Sequence, residues 1–182
     1  AAGPPGADGL FFLPYLSGEQ CPCWDPETRG GFFGLTLRHG RGHLARAVYE
    51  GIALSLARVA DALTDVVEPI EEVRVTGGLL GSSTWLQIAA DMWGTRILVP
   101  ESPEGSSLGA AVLAWVALGM AADLEIARKL VRPTRVVEPD GTRHELYHDF
   151  ISRAAKLLAV AKSVLGQETP GAVEPTQLGP RT

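Results

Sequence analysis

The stretch Val73-Arg74-Val75-Thr76-Gly77-Gly78-Leu79-Leu80-Gly81-Ser82 decides the fold. Val73 to Thr76 is largely β-branched and reads as a short strand. Gly77-Gly78 break it. Ser82, Ser83 or Thr84 can cap a following helix, in which Trp85, Ile88, Ala89 and Met92 keep helical spacing and which Gly94 ends. A strand running through a glycine turn into a helix is the building unit of an α/β layer. The same turn is the first candidate site. Glycine lets the backbone come close to a ligand, and a helix N-terminus offers unpaired N–H groups and a favourable dipole. That geometry suits an anion or a nucleotide. A plain tight turn uses the same glycines, so spacing alone leaves both readings open. No Gly-Lys-Ser/Thr triplet follows, and the pattern G-x-G-x-x-G does not fit.

Downstream, Ile97-Leu98-Val99 is a strand stopped by Pro100. Glu104-Gly105-Ser106-Ser107-Leu108-Gly109-Ala110-Ala111 then opens a helix, with Ser106 or Ser107 as its cap. Gly109, Ala110, Ala111 and Ala114 are small enough to press this helix onto a sheet. Asp123 to Val131 reads as a short helix and Asp140-Gly141 as a turn. Thr142 to Leu165 is a last helix with Leu146, Phe150, Ala154, Leu157, Ala161 and Val164 on one side. Upstream, Leu44, Val48, Ile52, Leu56, Val59, Leu63 and Val66 recur every three or four residues. A long helix with that stripe facing the core is expected from about Gly42 to Val67, ended by Pro69. Gly31 to Leu37 reads as a strand, and Phe11 to Leu16, broken by Pro14, as an edge or irregular strand. Residues 1–165 are thus expected as one α/β domain with a largely parallel sheet. Gly166 to Thr182, with Pro170, Pro175 and Pro180, is expected to be a disordered tail.

The 182 residues suffice for one domain with a sizeable core. Lys+Arg 16 against Asp+Glu 21 leaves a charge of -5, which gives no footprint for nucleic acid or an anionic membrane. The longest uncharged run, Gly105 to Ala122, contains Ser and Gly and reads as a core helix, not a membrane span. Two cysteines make no disulfide scaffold and fit a reducing cytosol. Cys21, Cys23, His39 and His43 could in principle hold zinc, but Cys-Pro-Cys has one intervening residue where structural sites use two to four. No Ser/His/Asp arrangement and no paired carboxylates are legible. Glu19 and Asp25 in the irregular loop, and Asp91 on a helix, read as solvated or capping residues.

Several spaced motifs together point to a family. Phe12-Leu13-Pro14-Tyr15-Leu16-Ser17-Gly18-Glu19 is followed by Trp24-Asp25-Pro26-Glu27-Thr28-Arg29-Gly30. Next come Gly31-Phe32-Phe33-Gly34-Leu35 and His43-Leu44-x-x-Ala47-Val48-Tyr49-Glu50. Then come Thr76-Gly77-Gly78-x-x-x-Ser82-x-x-Trp85-x-Gln87-x-x-Ala90-Asp91-x-x-Gly94 and Glu104-Gly105-x-x-Leu108-Gly109-Ala110-Ala111. In this order, over about residues 8–160, they resemble the carboxy-terminal domain of the FGGY carbohydrate kinases, and most of all the xylulokinase pattern.

The resemblance implies a ribonuclease-H-like domain of the actin-like ATPase superfamily, incomplete here. It implies ATP with Mg2+ as cofactor and transfer of the γ-phosphoryl group to a sugar hydroxyl, that of D-xylulose. By motif position Gly77 forms the turn, Gly78 approaches the nucleotide phosphates and Ser82 sits near the adenine. The departures are Leu79 where a third glycine or an alanine is usual, Gln20 where Arg is usual, and Cys21 in place of a small polar residue. The chain starts at Ala1 without Met and without a signal peptide, and a fragment is expected. The family's amino-terminal domain, with its phosphate loop, sugar pocket and catalytic Asp, is not in this sequence. The resemblance therefore implies an adenine-nucleotide-binding, cytoplasmic piece of a kinase that is inactive alone and meets sugar only beside the missing domain. An uncovered sheet edge would favour self-association into a homo-oligomer. The alternative is a non-catalytic interaction module derived from a sugar kinase.

Overall fold

The computed structural model describes residues 3–64 and 70–165. The expectations for Asp65 to Pro69 and for the tail 166–182 lie outside the described residues. After a 3-10 turn at Pro5–Gly9, strand β1 (Phe11–Leu13) pairs antiparallel with β2 (Gly31–Phe33), Phe12 facing Phe32. Pro14 ends β1 as expected. The expected strand through Leu37 stops at Phe33 instead. Gly34 turns the chain with φ +84°, and a Cβ there would lie 2.8 Å from the Gly9 carbonyl oxygen.

The second sheet has the order β3 (Glu72–Arg74), β4 (Arg96–Pro100), β5 (Pro133–Val137). β3 runs parallel to β4, and β5 antiparallel to it. The expectation of a largely parallel sheet is therefore corrected: β3–β4 is the one parallel pair among the described residues. Pro133 and Arg135 hid β5 from a pattern reading. Such residues belong at a sheet edge, and this strand is exposed except at Val137.

Helix α1 (Arg41–Thr64) forms where expected but buries another face. Arg46, Ala47, Glu50, Ala53, Leu54 and Ala57 are buried, while Leu56 and Leu63 are exposed. Leu44, Val48, Ile52 and Val59 are half-buried. The reason is close approach. A Cβ on Gly51 would stand 2.1 Å from the Phe12 carbonyl oxygen, so the side of α1 that carries this glycine is the one that can lie against β1. Its two charged residues satisfy each other. Arg46 Nε donates to Glu50 Oε1 at 2.7 Å and its Nη2 donates to the Tyr147 hydroxyl at 2.6 Å. Tyr147 OH and Gly6 N also donate to Glu50 Oε1, at 2.7 and 2.8 Å. Burial pushes the Tyr147 phenol above its ordinary range, and the Glu50 charge adds to the shift. The hydroxyl therefore stays a donor.

Helix α2 (Ser83–Trp93) ends at Gly94 in the left-handed conformation, φ +62°, as its spacing predicts. One side of α2 packs on the sheet through Leu86, Ala89, Ala90, Val75 and Ile97. Ile88 and Met92 join α1, β1 and α5 in the main core with Phe11, Leu54, Tyr147 and Phe150. Phe11 and Phe150 stack with centroids 4.6 Å apart. Helix α5 (Gly141–Leu165) starts at the expected turn, Asp140 Oδ1 accepting Arg143 N at 3.1 Å as its cap. Its buried stripe is Tyr147, Phe150, Ala154, Leu158 and Ala161, whereas Leu146 and Val164 of the expected stripe are exposed.

Helix α3 (Gly105–Ala117) departs most from expectation. Its N-cap is Glu104 with no side-chain bond, and Ser106 and Ser107 lie inside the first turn. Gly109, Ala110 and Ala114 are exposed and Val112 is its one buried residue, so the small residues press on nothing described. Leu113, Leu118 and Met120 are exposed as well. Helix α4 (Ile126–Leu130) follows. No described helix is long and apolar enough to cross a membrane.

Candidate functional site

The candidate turn leaves β3 in extended backbone at Thr76 and becomes a single 3-10 turn, Gly77–Gly81. Gly77 is required by the fold, since its φ of +75° is costly for any other residue. Its N–H donates to the Pro103 carbonyl at 3.2 Å, tying the turn to the loop before α3. Gly78 is different. Its φ is not in the left-handed region and a Cβ there would meet nothing within 4 Å. The described fold gives no reason for a glycine at 78, and the turn faces open space there.

Ser82 is the N-cap of α2: its Oγ accepts Trp85 N at 3.2 Å and its carbonyl accepts Leu86 N at 3.0 Å. The capping reading of this serine therefore holds, and the hydroxyl hydrogen is left to donate elsewhere. Gly105 at the start of α3 presses on the turn, since a Cβ there would lie 2.6 Å from Thr76 Cγ2. An open cleft of about 430 Å³ flanks the turn, lined by Thr76, Gly105, Ser106, Arg74 and Arg128. Arg74 and Arg128 pair with Glu72 and Glu125, each at 3.1 Å. The structure thus brings Gly77, Gly78 and Ser82 together at one strand-to-helix junction.

The other candidates have structural duties. Glu19 is 2% exposed, so its reading as a solvated loop residue is corrected. Its Oε1 accepts Arg58 Nη1 at 2.6 Å and its Oε2 accepts Lys162 Nζ at 2.7 Å, clamping the loop to α1 and α5. Asp25 accepts Thr28 Oγ1 at 2.6 Å and pairs with Lys162 at 3.2 Å. The Thr28 hydroxyl, then Lys162, hold its carboxyl at a pKa of about 2. Asp91 is 1% exposed, its Oδ1 accepting Gln87 Nε2 at 2.7 Å and Asp140 N at 2.9 Å. None of the three stands ready as a base. The Arg46–Glu50–Tyr147 network escaped the sequence reading, although Arg46 and Glu50 have the i, i+4 spacing that signals a helical pair.

Cys21 and Cys23 are exposed and free. His39 Nδ1 accepts Thr36 N at 2.9 Å and His43 Nδ1 accepts Gly40 N at 3.0 Å. That bonding assigns the proton to each Nε2, which then donates to Asp8, at 3.4 and 3.2 Å. A protonated Nε2 has no lone pair for a metal. Among the described residues no group of His, Cys, Asp and Glu is placed to hold an ion.

The chain matches the model of the FGGY family of carbohydrate kinases, C-terminal domain, over residues 1–118. It is 45% identical over 116 residues to a gluconokinase of Bacillus subtilis, covering 63% of this chain and 23% of that protein. The solved structure of a ligand-bound xylulose kinase from Lactobacillus acidophilus superposes with TM-score 0.80 at 31% identity, over 90% of this chain and 33% of that one. A Plasmodium falciparum glycerol kinase solved with ADP gives 0.67 at 29% identity, over 84% and 31%. The chain spans about a quarter to a third of the length of these relatives. The fold is accordingly a partial α/β domain of the actin-like, ribonuclease-H-like class, closed by the long α5. With the family model matching well over half of its length, the chain belongs to the FGGY family of carbohydrate kinases as part of the C-terminal domain.

Proposed function

We propose that this chain forms the nucleotide-facing wall of a cytoplasmic kinase that transfers the γ-phosphoryl group of ATP to a sugar hydroxyl. The observation that carries the reading is Gly78, a glycine at an open turn where neither backbone nor packing asks for one. A bare backbone is what a phosphate chain needs to come close. In this reading Gly77 sets the turn, Gly78 lies against the phosphates and Ser82 offers its hydroxyl beside the adenine. Phosphoryl transfer depends on positioning and charge neutralisation, not on covalent protein chemistry, so such a wall is a full share of the work. Mg2+, which we propose with the nucleotide, would supply charge neutralisation on the phosphates. No residue of this chain is assigned as the catalytic base, and the chain alone is inactive.

The substrate we propose is D-xylulose, on the motif resemblance and the likeness to xylulose kinases. The identity to gluconokinases favours gluconate as a second reading. The test is phosphorylation of D-xylulose, gluconate and glycerol by the chain alone and by a polypeptide that adds an FGGY amino-terminal domain. Product from the joined protein only, with one substrate preferred, is expected. A joined, folded protein that phosphorylates none of them would sink the kinase reading. Turnover by the chain alone would overturn its inactivity.

A further inference from the structure

Cys21 and Cys23 are both exposed and both free, and only Pro22 separates them. We propose that they form a redox pair, which a hydroperoxide converts into a disulfide within their loop and which an external dithiol converts back.

The loop brings the two residues together. Glu19 and Asp25 pair antiparallel, Glu19 N donating to the Asp25 carbonyl at 2.8 Å and Asp25 N to the Glu19 carbonyl at 2.7 Å. The chain must therefore reverse between Gln20 and Trp24, and it bends at Cys21, Pro22 and Cys23. Two residues of fully extended chain span at most about 7 Å. A bent chain spans less, which falls within the roughly 4.4–6.8 Å between Cα atoms that a disulfide bridges. Below the thiols the loop is anchored, since Glu19 pairs with Arg58 and Lys162, and Asp25 with Lys162. A bond formed at the tip leaves that base in place.

The two thiols differ in their surroundings, and the difference assigns their roles. Arg58 Nη2 donates to Cys23 Sγ at 3.8 Å, a contact that Cys21 lacks among the described residues. The thiolate is the form that attacks an oxidant, and Arg58 is the cation placed to face it. Cys23 is thus the attacking residue and Cys21 the resolving one. The Cys23 sulfur bonds to one peroxide oxygen, the O–O bond breaks, and the other oxygen leaves and takes up a proton as water or an alcohol. Cys23 is then a sulfenic acid. The Cys21 sulfur attacks that sulfur, the S–O bond breaks, and the hydroxyl leaves as water with the thiol proton. Two thiols are oxidised by two electrons and one peroxide is reduced. In a reducing compartment the pair rests as thiols and closes only when peroxide is present. This site does not depend on the nucleotide reading, which concerns Gly77, Gly78 and Ser82.

The test treats the chain with hydrogen peroxide, alkylates the remaining thiols and follows the mass of the peptide that carries both cysteines, beside Cys21→Ser and Cys23→Ser. Both substitutions lie at exposed positions and should leave the melting temperature unchanged. Loss of two hydrogen atoms from that peptide within a single chain, reversed by dithiothreitol, is expected. In Cys21→Ser the sulfenic acid of Cys23 should persist and be trapped by dimedone, because its resolving partner is gone. Cys23→Ser should consume peroxide several-fold more slowly than Cys21→Ser. Oxidation that yields only cross-linked dimers or sulfinic acid, a parent no faster than glutathione under the same conditions, or equal rates in the two folded variants would overturn the proposal.

Discussion

Replacing Glu50 by Gln is expected to weaken the fold far more than its small change of shape suggests. Glu50 is fully buried and its Oε1 collects bonds from Gly6 N, Arg46 Nε and the Tyr147 hydroxyl. It therefore ties the Pro5–Gly9 turn, α1 and α5 at one atom. Glutamine fits the space and keeps an acceptor, so packing hardly changes. Arg46, 8% exposed, is then left charged without its counter-charge. Removing one partner of a buried pair costs about 3–5 kcal/mol. The retained neutral hydrogen bonds bring the expected loss to about 3 kcal/mol. In a domain of this size that lowers the melting temperature by about 6–12 °C. Urea unfolding followed by circular dichroism reads the change directly. Adding Arg46→Met removes the stranded charge, and the double variant should lose less than the two single losses added together. A Glu50→Gln protein within about 0.5 kcal/mol of the parent, as surface substitutions are, would refute the reasoning.

Gly51→Ala should also destabilise, by about 1–3 kcal/mol, because its Cβ would meet the Phe12 carbonyl oxygen at 2.1 Å and force α1 away from β1; an unchanged unfolding midpoint would show that the helix shifts freely. Asp25 has a folded pKa of about 2, below its ordinary 3.8. Its bonds to Thr28 and Lys162 therefore contribute above about pH 4 and are lost as pH falls toward 2. Carboxyl NMR should show that low midpoint, and Asp25→Asn should flatten this part of the acid-unfolding curve. Tyr147 is shifted the other way, so the stability it contributes is present below the ordinary phenol pKa of about 10 and declines as pH rises above it. Tyr147→Phe should remove that alkaline component, measured by urea midpoints across the range.

What the sequence made legible was local chemistry. Ser82 before Trp85 and Gly94 after Met92 bound α2 correctly, because capping and left-handed termination are decided within a few residues. Which face of α1 turns inward is not local. Leu44, Val48, Ile52 and Leu56 form the stronger apolar stripe, but Gly51 and the alanines let the helix approach β1 more closely, and the tertiary contact won. Glu19 reads as a solvated or capping loop residue until Lys162, distant in sequence, comes beside it, and the Tyr147 hydroxyl reaches Arg46 across the fold in the same way. The small residues of α3 promised close packing that the described residues do not supply. At the candidate site the sequence showed a glycine turn, while the distinction between Gly77, needed for its φ, and Gly78, needed for nothing in the fold, required coordinates.

That distinction makes the decisive measurement simple: calorimetric titration of the chain with ATP and ADP, with and without magnesium, beside Gly78→Val. The variant should melt with the parent, since the added side chain enters open space. Saturable nucleotide binding by the parent, lost in the equally stable variant, is the predicted result. A folded parent that binds no nucleotide at millimolar concentration, or a variant that binds as well as the parent, would contradict the account. The first of these outcomes would favour an interaction module that keeps the family's fold without its ligand.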